Sequence, residues 1–203
     1  MGKYAKIVIS TAVVSLVLGG YFAFSRFSSK ASKTPKSTQE IIKKTKKSVK
    51  SKVKEQPISA RKAYEVAKPY GKKWAQDAVL VDVTNFIGDK NDGLADIWVF
   101  SFGSSAKGED KGYEVTIADG KFSRDDTNVS TRFLEPVKDN WIDSTVAAQK
   151  AQKYFEDLVC KNYWYGLTGD TWKIKCSRKS GGKPKWVELN ALTGKFIKTW
   201  EDY

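Results

Sequence analysis

The side chains best suited to chemistry in this sequence gather at Gly88-Asp89-Lys90-Asn91-Asp92-Gly93-Leu94-Ala95-Asp96. Calcium takes roughly six to eight hard oxygens, often from alternating Asp and Asn residues around a glycine turn. Asp89, Asn91, Asp92 and Asp96 offer four such side chains. Their spacing, D-x-N-D-G-x-x-D, is one residue short of the alternation in D-x-[DN]-x-[DN]-G. The segment therefore reads either as a calcium loop or as a polar turn between strands, and Ca²⁺ is the one cofactor the sequence suggests. Cys160 and Cys176 are too few and too far apart for a four-thiolate zinc site or a C-x-x-C redox pair. Outside the cytoplasm they could form a disulfide worth ~3 kcal/mol; otherwise they are two buried thiols. Ser59-Ala60-Arg61-Lys62 has the S-x-x-K spacing of some serine acyl-enzymes, but their companion motifs are absent and Ser59 is placed to cap a helix. Asn128-Val129-Ser130 has the spacing of a glycosylation sequon.

The composition removes other chemistry. The 203 residues contain no His, which excludes Ser-His-Asp and Cys-His nucleophile pairs, His-ligated zinc and an imidazole pH switch. No acid/base pair of carboxylates and no phosphate cradle is recognisable. The expectation is that the protein is not an enzyme and has no catalytic residue.

The net charge of +13 suggests nucleic acid until its distribution is considered. Residues 1–57 hold twelve Lys and one Arg against Glu40 and Glu55, a charge of +11, whereas the remainder carries +2. All seven Trp lie in that nearly neutral remainder. A nucleic-acid interface needs basic and aromatic residues on one folded face. Here they are segregated, so nucleic acid is not an expected partner.

Three zones must position these residues. In 1–27, Ile7 to Phe24 runs eighteen residues without a charge. As a helix it spans roughly 27 Å, near the thickness of the hydrocarbon layer. Tyr21, Phe22, Phe24 and Phe27 gather at its end, where aromatic rings favour the headgroup boundary. The reading favoured is an uncleaved transmembrane signal-anchor, over a cleaved signal peptide, whose apolar run would be shorter and end in a small-x-small site. Residues 28–57 are rich in Lys and Ser, with Ile41, Ile42, Val49 and Val53 as the strongly apolar members. Such a stretch buries too little surface to offset its ordering entropy, so a flexible or weakly helical tether is expected. It is either a solvated spacer or a polycation lying on anionic polymer or lipid.

The third zone is one pattern written twice, at 58–135 and 136–203. Ile58, Ser59, Ala63, Ala67 and Tyr70 recur 84 positions later as Ile142, Asp143, Ala147, Ala151 and Tyr154. Trp98, Phe100, Gly120, Lys121 and Phe122 recur 74 positions later as Trp172, Ile174, Gly194, Lys195 and Phe196. Each copy opens with a helix, capped by Ser59 or Asp143, whose alanines allow close approach to a sheet. Pro69 is expected to limit the first helix. Trp98, Phe100 and Phe102 alternate with Ile97, Val99 and Ser101; Tyr113, Val115 and Ile117 alternate with Glu114 and Thr116; the second copy shows the same alternation. A further strand is expected at Val79 to Asn85 and around Tyr163 to Leu167. The predicted fold is α+β: two α-β-β-β units in tandem, each a helix on an antiparallel sheet, preceded by one transmembrane helix.

The capped, Ala-spaced helix, the aromatic strand and the ending Glu188-Leu189-Asn190-Ala191-Leu192-Thr193-Gly194-Lys195-Phe196 together resemble PepSY domains. These occur in tandem in membrane-tethered extracytoplasmic proteins and in propeptides of secreted metallopeptidases. The first copy, Val115-Thr116-Ile117-Ala118-Asp119-Gly120-Lys121, lacks the Thr of that hairpin. The resemblance implies a non-enzymatic module that binds or restrains a peptidase or another cell-envelope protein. The expected function is thus a membrane-anchored domain that binds a protein or peptide. The alternative is a structural or assembly part whose tether grips anionic wall polymer or lipid. The cations after the apolar run favour a cytoplasmic domain by the positive-inside rule. The two Cys and the envelope resemblance favour an extracytoplasmic one, which is the expectation adopted.

Overall fold

The computed structural model describes residues 56–202 apart from Ile87, Asp89 and Phe133. The anchor expected at 1–27 and all but the last two residues of the tether expected at 28–57 lie outside the described residues. Among the described residues no helix is long and apolar enough to cross a membrane.

The described residues fold as α+β, with two helices on one face of an eight-stranded antiparallel sheet. The first copy supplies β1 (Ile58–Ser59), α1 (Ala60–Trp74), β2 (Val79–Asn85), β3 (Leu94–Ala95), β4 (Ile97–Gly103), β5 (Gly112–Ala118) and β6 (Lys121–Val129). The second supplies α2 (Ser144–Ala151), a 3₁₀ turn (Gln152–Tyr154), β7 (Cys160–Thr168), β8 (Thr171–Arg178), β9 (Lys185–Asn190) and β10 (Phe196–Glu201). The strand order is β10-β9-β8-β7-β2-β4-β5-β6, while β1 and β3 form a separate two-stranded ladder. Both copies run outward from a shared centre, where β2 pairs β7.

The expected three-strand unit is corrected to four. Gly120 and Gly194, with φ of 74° and 66°, do turn the chain as expected. Each turn leads into a full outer strand, β6 or β10. Nearly every residue of both is exposed, so neither shows the apolar alternation by which the other strands are read.

The alternating residues behave as their spacing requires. Trp98, Phe100, Val115, Ile117, Trp172, Ile174, Val187 and Leu189 are fully buried beneath the helices. Each such side chain contributes roughly 1.5–3 kcal/mol on leaving water. Ala63, Ala67, Ala147, Ala148 and Ala151 are among the fully buried helix residues that meet them. Close approach is strictest at Gly71, where an added Cβ would lie 2.7 Å from the Phe102 ring. Pro69 does not end α1, which continues to Trp74. Pro69 faces solvent, so water can satisfy the Glu65 carbonyl that its missing N–H leaves unpaired.

The repeat recurs in its contacts. Trp98 Nε1 donates to the Ile58 carbonyl at 2.8 Å, and Trp172 Nε1 to the Ile142 carbonyl at 2.9 Å. Tyr70 stacks on Phe122 with ring centroids 4.3 Å apart, and Tyr154 on Phe196 at 4.4 Å.

Capping departs from expectation. Ser59 has the extended backbone of an N-cap, but its Oγ is buried without a hydrogen-bond partner. The first amides of α1 are satisfied from the other copy: Ala60 N donates to Ser144 Oγ at 2.9 Å and Arg61 N to Asp143 Oδ1 at 3.0 Å. Asp143 also accepts from Ser144 N, so one carboxylate serves both helix starts. Asn85 does similar work in the sheet. Where β2 and β7 diverge, its buried Oδ1 accepts from Tyr165 N at 2.7 Å, and Gly88 resumes the ladder with Tyr163.

Candidate functional site

The proposed calcium residues divide. Asp89 lies outside the described residues. Asn91 Oδ1 accepts from the Tyr165 hydroxyl at 2.9 Å, and Asp92 Oδ1 accepts from Leu94 N at 3.0 Å. Asp96 is exposed, and its backbone carbonyl accepts from Asp119 N. The Gly93 amide donates to the Tyr165 hydroxyl, while its carbonyl accepts from Ser144 Oγ at 2.6 Å. Gly93 has a φ of 72°, and a Cβ there would fall 2.2 Å from the Ser144 carbonyl oxygen. The loop is thus wedged against the start of α2 and links the two copies. Among the described residues no three His, Cys, Asp or Glu side chains cluster as a metal site.

Cys160 and Cys176 are joined as a disulfide with a Cα–Cα distance of 5.5 Å. They sit on neighbouring strands and out of register across a bulge, Cys160 pairing Arg178 and Cys176 pairing Tyr163. In the S-x-x-K segment, Lys62 is exposed whereas Ser59 Oγ is buried and unpartnered, so the two do not form a nucleophile and base. Asn128 is exposed on β6, with its amide donated to Asp126 Oδ1.

The sheet face without helices carries a row that sequence reading did not single out. Register aligns Trp164, Lys175, Trp186 and Trp200 across β7 to β10. Trp164 meets Trp186 edge-on at 5.5 Å, and Trp186 stacks on Trp200 at 5.3 Å. Lys175 Nζ lies 5.0 Å from the Trp186 ring centre. Because the two stacked indoles turn their faces to each other, the row acts as cross-strand packing rather than as a flat platform.

Surface hollows with apolar floors lie elsewhere, between each helix and the outer strand of its copy. In the first copy Tyr70, Lys73, Trp74, Tyr113, Phe122 and Asp125 line a hollow of about 460 Å³. Its floor is two stacked pairs, Tyr70 on Phe122 and Trp74 on Tyr113, the latter at 5.4 Å. The Tyr113 hydroxyl donates to Asp125 Oδ2. Burial first, and that bond second, hold the phenol well above its ordinary pKa, so it stays protonated. In the second copy a hollow of about 430 Å³ lies over Leu189 and the Tyr154–Phe196 stack, with Lys150, Lys153 and Lys195 around it. Tyr70 with Tyr154, and Phe122 with Phe196, were already legible as repeat markers. Their role as paired floors needed the fourth strands, which place each Phe against its helix.

Beside each hollow runs an outer strand, β6 or β10, that pairs with a neighbour on one side alone among the described residues. Its other edge offers backbone donors and acceptors to an extended chain.

No family model and no curated protein matches this chain. Among solved structures it is similar to the crystal structure of a candidate lipoprotein from Clostridium difficile 630, with a TM-score of 0.49 and 14% identity over 73% of this chain and 94% of that one.

Proposed function

We propose that this chain is a single-pass, membrane-anchored, non-enzymatic protein of the cell envelope whose tandem domain, on the extracytoplasmic side, binds or restrains a protein or peptide partner, with a peptidase as one candidate. The observation that carries this reading is the recurrence, at both ends of the sheet, of an open strand edge beside an aromatic hollow. Strand addition supplies affinity through main-chain hydrogen bonds, and hollows next to the edge select side chains. The PepSY resemblance and the uncharged run Ile7 to Phe24 support the same reading. The test is to pan a phage-displayed peptide library against the full chain in micelles, then titrate the selected peptides against Phe122→Ala and Phe196→Ala. Truncating one anchoring ring should weaken binding about tenfold. A chain that selects nothing above background, or peptides indifferent to both variants, refutes it.

The charge of +11 on residues 1–57 favours a second reading, in which the tether grips anionic wall polymer or lipid. Deleting residues 30–54 separates the two. Peptide capture survives the deletion if the domain is the binding element. Salt-sensitive capture that vanishes with the segment belongs to the tether.

A further inference from the structure

Each hollow lies beside the Tyr–Phe stack of its copy, but the charged residues around the second are not repeated at the matching positions of the first copy, so the fold does not impose that charge. At the positions of Gln149, Lys150, Lys153 and Thr193 the first copy has Glu65, Val66, Pro69 and Asp119; Lys121 matches Lys195. Across these five positions the charge is −1 in the first copy and +3 in the second.

All three lysines of the second copy line the hollow, and contacts of the side chain place two of them. An added Cβ on Gly194 would fall 2.2 Å from Lys150 Cδ, so the Lys150 stem lies along the turn. Lys153 Nζ stands 4.9 Å from the Tyr154 ring centre. Elsewhere on β9 and β10 lysines are paired, Lys185 with Asp157 and Lys198 with Glu188. Among the described residues, no ion pair engages Lys150, Lys153 or Lys195. No carboxylate among the described residues lines the hollow, and Phe196 is 44% exposed beside it.

We propose that the hollow between α2 and the β9–β10 turn receives an acidic peptide segment, whose carboxylates meet Lys150, Lys153 and Lys195 while an adjacent apolar side chain covers Phe196 and Tyr154. This rests on the peptide-binding reading above and names the chemistry of the partner. A peptide fits better than a polyanion such as a phosphate polymer or lipid headgroup, because two of the three features at this site are not ionic. The ring floor needs an apolar group, and the open edge of β10 needs backbone donors and acceptors.

The test uses the full chain in neutral micelles and fluorescence anisotropy with a capped decapeptide in which one Phe and one Leu are flanked by Asp and Glu. A second peptide has Lys at every acidic position. The acidic peptide should bind, weaken by about tenfold or more between roughly 50 and 300 mM salt, and lose at least about thirtyfold on Lys150→Glu/Lys195→Glu. Both lysines replaced are exposed, so unchanged melting of that variant identifies the loss as one of binding. Lys150→Gln/Lys195→Gln should fall between the two. Equal binding of both peptides, or indifference to the charge reversal, overturns the proposal. So does loss, in the reversed variant, of binding to anionic vesicles or polyphosphate when the acidic peptide never bound. If other library peptides still bind and still need Phe196, this inference fails while peptide binding stands. If no peptide binds, both fall.

Discussion

Asp82 lies on the helix-free face at the junction of the copies, paired in register with Thr168 on β7 and Ser101 on β4. Its carboxyl is pushed up to about 6 from 3.8, first by burial and next by the charge of Glu114 across β4, with Lys173 opposing. In the folded state it therefore holds its proton to higher pH than in the unfolded chain. Between pH ~4 and ~6 the native state binds more protons, so the stability it contributes is present below 4 and falls as pH rises through 6. A shift of about two pKa units at 1.36 kcal/mol each makes the loss about 3 kcal/mol. Asp82→Asn, of the same shape and without the charge, should recover most of this above pH 7 and little at pH 3.5. At roughly 2–4 °C per kcal/mol for a domain of this size, the variant should melt about 6–12 °C higher near neutrality. The check is the difference in unfolding free energy between variant and parent, from urea titrations at several pH values. Asp77 works in a lower window: hydrogen bonds from Ser104, Ala106 and Ser105 hold it down to about 2, so its contribution is lost only as pH falls from ~4 toward 2. Subtracting parent from variant cancels it. A difference that does not change between pH 4 and 7, or one that favours the parent at pH 7, refutes this assignment.

Asp143→Ala removes the acceptor shared by Arg61 N and Ser144 N, and should cost about 2 kcal/mol by urea unfolding, at ~1 kcal/mol per cap, with Asp143→Asn retaining most of it. Gly71→Ala would normally favour a helix by up to ~1 kcal/mol, but its Cβ would press on Phe102, so a net loss of roughly 1 kcal/mol or more in thermal unfolding is expected. Alkylation without reductant should leave the mass unchanged, and reducing Cys160–Cys176 should destabilise the domain by about 3 kcal/mol, read as a lower urea midpoint. Millimolar calcium should leave the melting temperature where it was, because Asn91 and Asp92 already spend oxygens on Tyr165 and Leu94; a rise of several degrees would instead support the ion site.

Much of the inner sheet was legible because its strands have one wet and one apolar face. Val79–Asn85 is a strand at the bounds expected, and Trp98, Phe100 and Phe102 point together under α1. The outer strands escaped for the converse reason. Lys121–Val129 and Phe196–Glu201 are exposed along almost their whole length, so their pairing is held by backbone bonds to β5 and β9, which leave no side-chain period to read. The candidate site escaped with them, since each hollow exists only where an outer strand brings Phe122 or Phe196 against a helix.

The sequence by itself determined that a core-forming unit occurs twice, because burial demands apolar residues at helix and strand spacing and those demands are local. It also determined where charge concentrates, since charge is a property of composition. The tertiary structure decided what joins residues far apart along the chain: that Asp143 caps a helix beginning some eighty positions earlier, that Asn91 belongs to Tyr165, and that Lys150 and Lys153 meet Lys195 around one hollow. Such contacts are selected by the geometry of two copies meeting at β2 and β7, and no periodicity within either copy encodes that geometry.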